Sequence, residues 1–331
     1  MKKIMLVAAA FLLRSVPVQG QIPTKRVVAP AADDPAPSTF DGSRNFMGKA
    51  VKSYIGQELF VPCRDGELRS YGYRDFFAYV FPSVDAMLDA SMKGDPDGNI
   101  YMKGTGNSRF STRHDALADR SFNVTGIQVR PADKGLPEEV YLKLAAKDRK
   151  ETLFFRYEDK YENAFPFVAM KFFQKQKELR VGRDFITRGR NWNGATKPMT
   201  DINTGKPIEF PPGATWKCVD VAIASCNLSM ILENDKKEQV AFPIASQSAD
   251  HWIVTAEAAT VMAKQFGKDV WAKALAGHVA IGMAAETAEF AWGSPKSKNT
   301  TVTNGKVSEQ WVYKDGRYLY FENGKVTAVQ G

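Results

Sequence analysis

Three Asn-Gly or Asp-Gly pairs near the C-terminus constrain the fold of this chain more than any other feature. They are Asn304-Gly305, Asp315-Gly316 and Asn323-Gly324, and each lies between runs rich in β-branched and aromatic residues. Both central residues of a type I′ turn need positive φ, which Asn, Asp and Gly tolerate, so such pairs are a strong signal for a β-hairpin. Three hairpins in succession predict a four-stranded antiparallel meander.

The turns also predict which side chains share a face of this sheet. With two-residue loops, Tyr313 pairs with Tyr318 and Trp311 with Tyr320, and paired residues point to the same face. These four residues are therefore expected to form one aromatic strip. Tyr and Trp dominate interface hot spots, so the strip is a candidate partner-binding surface. Alternatively, the strip is an internal layer, because both faces of the sheet are apolar enough to need cover.

Two helical segments precede the sheet. Residues 284–292 have helical character, with Gly293 suited to the left-handed position after a helix and Pro295 unable to continue it. An Ala-rich segment, residues 256–276, is also expected to be helical and to be divided at Gly267. Helices packed on one sheet predict a two-layer α+β module over residues 249–331.

Four short motifs occur in this module. They are Ile281-Gly282-Met283, Trp292-Gly293-Ser294-Pro295, Gln310-Trp311-Val312-Tyr313 and Tyr320-Phe321-Glu322-Asn323-Gly324. Together they resemble the SmpA/OmlA family, the small BamE-like outer-membrane lipoproteins of the β-barrel assembly machinery. The resemblance implies a module that binds other proteins, such as an envelope protein or an outer-membrane assembly partner, and that carries no chemistry of its own.

The first 45 residues predict export and a spacer. Residues 1–20 combine a positive start, an apolar stretch and small residues before Gln21, which is typical of a bacterial signal peptide. Residues 21–45 are rich in Pro, Ala and Asp and predict a disordered tether. No cysteine lies near the cleavage site, so the mature chain is expected to be unlipidated. We expect it in the periplasm or at the periphery of the outer membrane of a Gram-negative bacterium.

The chain contains three cysteines, Cys63, Cys218 and Cys226. An oxidising compartment permits one disulfide, with three alternative pairings and one thiol left over. Cys218 and Cys226 are the nearest pair in sequence and form the candidate disulfide. The alternative is that the thiols are buried and unpaired.

The middle of the chain carries a degenerate repeat. Residues 54–59 match residues 180–185, each with a central glycine, and two later blocks match in the same order. The repeat predicts two tandem small β-domains, barrel-like or SH3-like, over residues 46–160 and 161–248. The first has an insert at residues 67–121, in which residues 83–92 are expected to be a short helix capped by Ser83.

Signatures of catalysis, metal binding and cofactor binding are absent from the sequence. There are three histidines, and no nucleophile elbow, His-Glu-x-x-His pair, Cys-x-x-Cys pair or P-loop. His114-Asp115 suggests a general base, but the neighbouring arginines favour a solvated loop. We therefore predict no enzyme, no cofactor and no metal.

A basic segment follows the first repeat. It is interleaved with phenylalanines and contains Lys171, Lys175, Lys177, Arg180, Arg183, Arg188 and Arg190. Export makes nucleic acid an improbable partner, so an anionic envelope surface or cell-wall polymer is the better candidate. The alternative is a solvated strand face without a ligand.

The sequence predicts a mainly β chain with a C-terminal α+β module. Its expected function is non-enzymatic binding or scaffolding at the cell envelope, with protein contacts through the C-terminal module. The alternatives are a carbohydrate- or peptidoglycan-binding protein, which would use the tandem β-domains, and an exported hydrolase of unrecognised type.

Overall fold

The computed structural model of the protein describes residues 40–189, 199–244, 252–303 and 305–331. Within these ranges the chain is mainly β, with antiparallel sheets of six, five and four strands and one two-stranded ladder. The predicted signal peptide, residues 21–39 of the predicted tether, and Arg190 lie outside the described residues. No helix in the described ranges is both long and apolar enough to cross a membrane.

The first β-unit is built on the six-stranded sheet. Its strands are β1 (Glu58–Val61), β2 (Phe76–Phe77), β3 (Arg120–Arg130), β4 (Glu139–Ala146), β5 (Thr152–Tyr157) and β6 (Val168–Ala169), in the order β2-β5-β4-β3-β1-β6. The insert between β1 and β3 holds α1 (Leu68–Tyr71), α2 (Val84–Met92) and α3 (His114–Leu117). The Ser83 hydroxyl accepts a hydrogen bond from the Ala86 amide, so Ser83 caps α2 as predicted.

This unit begins earlier and ends later than the sequence predicts. Phe40 is fully buried in its core, and the Asn45 amide bonds the backbone of Phe167 and Ala169 at 2.7 and 2.8 Å. The predicted tether therefore does not include residues 40–45. At the other end, Ala169 of β6 pairs with Leu59 of β1, so the boundary predicted at residue 160 falls inside the unit. A two-residue strand has no periodicity that sequence patterns can detect.

The second β-unit is built on the five-stranded sheet. Its strands are β7 (Asp184–Thr187), β10 (Thr215–Ala224), β11 (Asn227–Glu233), β12 (Gln239–Pro243) and β13 (Ile253–Thr255), in the order β12-β11-β10-β7-β13. The ladder of β8 (Met199–Thr200) and β9 (Pro207–Ile208) lies beside it. Helix α4 (Met170–Arg180) connects the units and lies against both β1 and β10. Because β13 pairs with β7, the C-terminal module starts later than the predicted residue 249.

The predicted repeat corresponds to one hydrogen-bonding pattern used twice. The amide of Gly56 donates to the carbonyl of Val124 at 2.8 Å, and the amide of Gly182 donates to that of Cys218 at 2.8 Å. Both glycines have positive φ, 82° and 86°. A bulge follows Val124 in β3 and Cys218 in β10. In both units the first strand, β1 or β7, lies between the last strand and the first long strand, which is β3 or β10.

The C-terminal module confirms the predicted meander. It contains α5 (Ala256–Phe266), α6 (Lys268–Leu275), α7 (Ala285–Trp292), β14 (Ser297–Thr303), β15 (Lys306–Val312), β16 (Tyr318–Glu322) and β17 (Lys325–Gln330). The four strands pair in sequence order. Gly267 divides the helical segment with φ of 82°, and Gly293 follows α7 with φ of 81°.

The middle turn of the meander differs from the prediction. The amide of Tyr313 donates to the carbonyl of Arg317 at 2.9 Å, which leaves three residues in the loop instead of two. Gly316 occupies the left-handed position with φ of 82°, as in a type I turn followed by a bulge. The register is therefore shifted by one residue, and Trp311 pairs with Leu319 instead of Tyr320. A one-residue shift exchanges the two faces of a strand.

Candidate ligand-binding cavity between the two β-units

A cavity of about 990 Å³ lies where the two β-units meet. The first unit contributes the segment before β6, the residues after β1, and residues 44–48. The second unit contributes the turn between β10 and β11. Its volume lies at the upper end of the usual range for small-molecule sites, roughly 300–1,000 Å³.

Aromatic side chains form one wall of the cavity. Phe165 and Phe167 lie on either side of Pro166, with ring centroids 5.1 Å apart. Phe46 adds a third ring, 5.8 Å from that of Phe165. A short 3-10 helix, Glu162–Ala164, leads into this segment. Phe167 is fully buried and anchors the segment in the first core, whereas Phe165 and Phe46 are half-buried. The wall therefore offers apolar, flat surface to a ligand.

A disulfide between Cys63 and Cys226 closes another part of the wall, and this corrects the predicted pairing. Cys63 follows β1, and Cys226 lies in the β10–β11 turn, with their Cα atoms 4.7 Å apart. Phe60 of β1 packs into the second core, which brings the end of β1 to the second unit. Ser225 and Cys226 both have positive φ, 48° and 64°, as the tight turn requires.

The predicted Cys218–Cys226 disulfide is wrong, because Cys226 pairs with Cys63 in the turn after β10, whereas Cys218 lies six residues before the end of that strand. An extended strand rises about 3.3 Å per residue, so the six residues from Cys218 to the end of β10 already span roughly 20 Å, beyond the reach of a disulfide. Cys218 is a free thiol, fully buried in the second core. Burial raises the pKa of the Cys218 thiol to about 11.

Arg64 is the least exposed of the charged residues that line the cavity. Its guanidinium carbon lies 4.8 Å from the centroid of the Tyr73 ring, in cation–π geometry. Its side chain is half-buried, and burial lowers the pKa of the guanidinium. Burial also raises the pKa of the Tyr73 hydroxyl, which donates to the carbonyl of Pro62 at 2.7 Å. Tyr73 therefore serves as a rigid, neutral platform under a cation.

His114 supports this arrangement from behind and is not in a solvated loop as predicted. Its Nε2 accepts a hydrogen bond from the backbone amide of Arg64 at 3.1 Å, and its ring stacks on Tyr73 with centroids 5.8 Å apart. Burial lowers the pKa of His114, which favours the neutral imidazole that this acceptor role needs. The His114 ring therefore holds the backbone at Arg64 in place.

The residues of the basic segment lie on α4, before β7 and after it. Lys171, Lys175, Lys177 and Arg180 lie on α4, Arg183 lies before β7, and Arg188 follows it. Lys175 pairs with Glu178 at 3.4 Å, and Lys177 with Asp220 at 2.8 Å. Arg188 is buried over the Phe290 ring, 3.7 Å from its centroid, and bonds the Phe290 carbonyl. The predicted anionic-surface patch therefore does not include Arg188, which is buried, and Lys175 and Lys177 already have carboxylate partners.

The predicted aromatic strip is also divided between two faces. Trp311 and Tyr313 are buried under the helices with Leu319 and Phe321, whereas Tyr318 and Tyr320 are half-buried on the opposite face. That outer face carries a hydrogen-bonded row across all four strands. Its members are Asn299, Gln310, Tyr320 and Gln330, linked at distances of 3.1, 3.2 and 3.0 Å.

The cavity residues were not recognised as a site from the sequence. One usable signal was present, since Cys63 and Arg64 are adjacent in sequence and a bridged cysteine fixes its neighbour in place. In the described ranges, no group of three or more His, Cys, Asp and Glu side chains is arranged to hold a metal ion. Comparisons with protein-family models, curated proteins and solved structures found no match.

Proposed function

We propose that this protein is a non-enzymatic binding protein of the cell envelope that holds a ligand between its two β-units. The observation that carries the proposal is the cavity of about 990 Å³ with its wall of Phe46, Phe165 and Phe167. A concave, mostly apolar site with a few polar groups is the usual form of a ligand pocket. The site draws on both units, which explains why the chain would need two copies of one architecture.

The strand order supports an SH3-like description of each unit. In both units five strands follow one order, with the first strand beside the last, and in the first unit a 3-10 helix precedes the last strand. Small barrels of this kind bind ligands through aromatic grooves beside their loops. The Phe165–Phe167 segment comes directly after that 3-10 helix, which is consistent with such a groove.

The disulfide supports the proposed export to the periplasm or outer-membrane periphery. Structural disulfides form and persist in oxidising compartments and are rare in the cytosol. The Cys63–Cys226 bridge joins the two units next to the cavity, so oxidation would hold the ligand site together. An envelope protein or a cell-wall polymer remains the proposed source of the ligand.

Binding of an uncharged aromatic probe tests the cavity. We expect the purified protein to bind N-phenyl-1-naphthylamine saturably, and we expect Phe165→Ala to weaken this binding by roughly 3- to 10-fold, because one aromatic contact is lost. Fluorescence titration gives both dissociation constants. The matched control is Phe110→Ala, which removes an exposed phenylalanine outside the cavity. Equal weakening by both variants, or no saturable binding, would contradict the proposal.

The outer face of the C-terminal sheet supports a second candidate function, contact with another envelope protein. The hydrogen-bonded row of Asn299, Gln310, Tyr320 and Gln330 holds amide and phenol groups in fixed positions on that face. This arrangement is compatible with the BamE-like description of the module, which stays a proposal.

In-cell photo-crosslinking separates this second function from internal packing. We expect a probe at Tyr320, on the outer face, to give a discrete band of higher mass if a protein partner contacts that face. The control probe is at Val302, which is exposed on the opposite face of the same sheet. Bands from both positions, or from neither, would argue against a partner on the outer face.

A further inference from the structure

We propose that the cavity binds a small organic anion, with one acidic group on an apolar or aromatic body, and that Arg64 binds the acidic group. This inference rests on the proposed binding function and deepens it. The aromatic wall would contact the apolar body of the ligand, and the Arg64 guanidinium would bind its acidic group. The chemical class is a hydrophobic monocarboxylate or a compound of the same shape and charge.

The charge environment of Arg64 carries the argument. Its guanidinium is half-buried over Tyr73 and lines the cavity. Among the described residues, no Asp or Glu side chain lies within 4.0 Å of it as an ion-pair partner. A half-buried cation without a counter-charge has lost part of its hydration and gained no ion pair in return. An anionic ligand would supply the missing charge through charge-assisted hydrogen bonds.

Other charged side chains at the cavity are compatible with this arrangement. Asp65 and Glu162 line it and are exposed, so water screens their charges. Arg44 is a second exposed arginine of the lining, and it has no ion pair within the described ranges either. The arginine that is both half-buried and stacked is Arg64, and planar guanidinium groups match carboxylates in bidentate geometry.

Two probes that share one aromatic body test the inference. 8-Anilinonaphthalene-1-sulfonate carries an acidic group, and N-phenyl-1-naphthylamine lacks it. We expect the purified protein to bind the sulfonate at least roughly 10-fold more tightly than the uncharged probe, because hydrogen bonds to charged groups usually contribute that much to affinity. Arg64→Met keeps an apolar stem on Tyr73 and removes the charge, so it should weaken binding of the sulfonate and abolish the preference for it over the uncharged probe. Arg64→Lys should retain part of the preference.

The matched control is Arg109→Met. Arg109 also stacks on an aromatic ring, with its guanidinium carbon 4.8 Å from the Phe110 centroid, but it is exposed and does not line the cavity. This variant should keep the full preference. If Arg64→Met fails to fold, the salt dependence of the unaltered protein decides, because added salt should weaken binding of the sulfonate but not of the uncharged probe.

The outcomes separate the two proposals. Equal affinity of the protein for both probes, or equal loss of preference in the Arg64 and Arg109 variants, would overturn the role of Arg64 and leave the cavity as a ligand site. Failure of both probes to bind would overturn the cavity function as well.

Discussion

Replacement of both bridged cysteines, Cys63→Ser with Cys226→Ser, is expected to lower the free energy of unfolding by about 4–5 kcal/mol. The bridge connects residues 163 positions apart and so closes a long loop in the unfolded chain. In the chain-entropy account, stabilisation grows with the logarithm of loop length. Urea unfolding of the oxidised protein and of the double variant measures the difference.

The free thiol provides the control for this prediction. Cys218→Ala keeps the bridge and removes a small buried side chain, so it should cost far less, about 1 kcal/mol. Thiol titration of the unfolded, unreduced protein should give one thiol per chain, and none in Cys218→Ala. A thiol that persists in Cys218→Ala would show that Cys63 and Cys226 are not paired.

Trp311→Ala is expected to destabilise the C-terminal module by about 3–5 kcal/mol. Trp311 is 2% exposed, packs on Phe321 with ring centroids 4.4 Å apart, and lies under the Lys298 ammonium at 3.9 Å. Its indole N–H donates to the Glu309 carboxylate at 2.8 Å. Truncation therefore leaves a cavity in a small core and removes a ring contact. Chemical denaturation followed by circular dichroism measures the loss.

Tyr320→Ala is the matched control on the other face of the same sheet. Tyr320 is half-exposed, and its hydroxyl bonds the side chains of Gln310 and Gln330. We expect its truncation to cost about 1 kcal/mol, since exposed polar contacts contribute little. Similar losses for the two variants would mean that both rings share one buried face, as the two-residue loop would require.

The repeat could be predicted from the sequence because its residues make equivalent contacts. The glycines at 56 and 182 need positive φ at the same point of the pattern, and Phe122 and Trp216 both lie fully buried opposite the first strand. Such requirements leave a recognisable order of residue types even where identity is low. The last strand of each unit is only two or three residues long, so the predicted ends of both units were too early.

The face assignment of the C-terminal sheet could not be obtained from the sequence. Asp315-Gly316 is compatible with a two-residue loop and with a three-residue loop ending in a left-handed glycine. The difference is one residue, and the side-chain period of a strand is two, so the residues of β16 change face. The three-residue loop is the one that buries Trp311, Tyr313, Leu319 and Phe321 together on one face, against the helices.

The candidate ligand site depended entirely on long-range contacts. Tyr73 and Phe165 come together in the first core, although they are 92 residues apart in sequence. Cys226 joins them because Phe60 of β1 packs into the second core. The sequence by itself determined the local elements, the repeat and the meander, since turns, caps and periodicity act over a few residues. Tertiary structure alone decided the disulfide, the sheet faces and the cavity, because these follow from which distant surfaces bury each other.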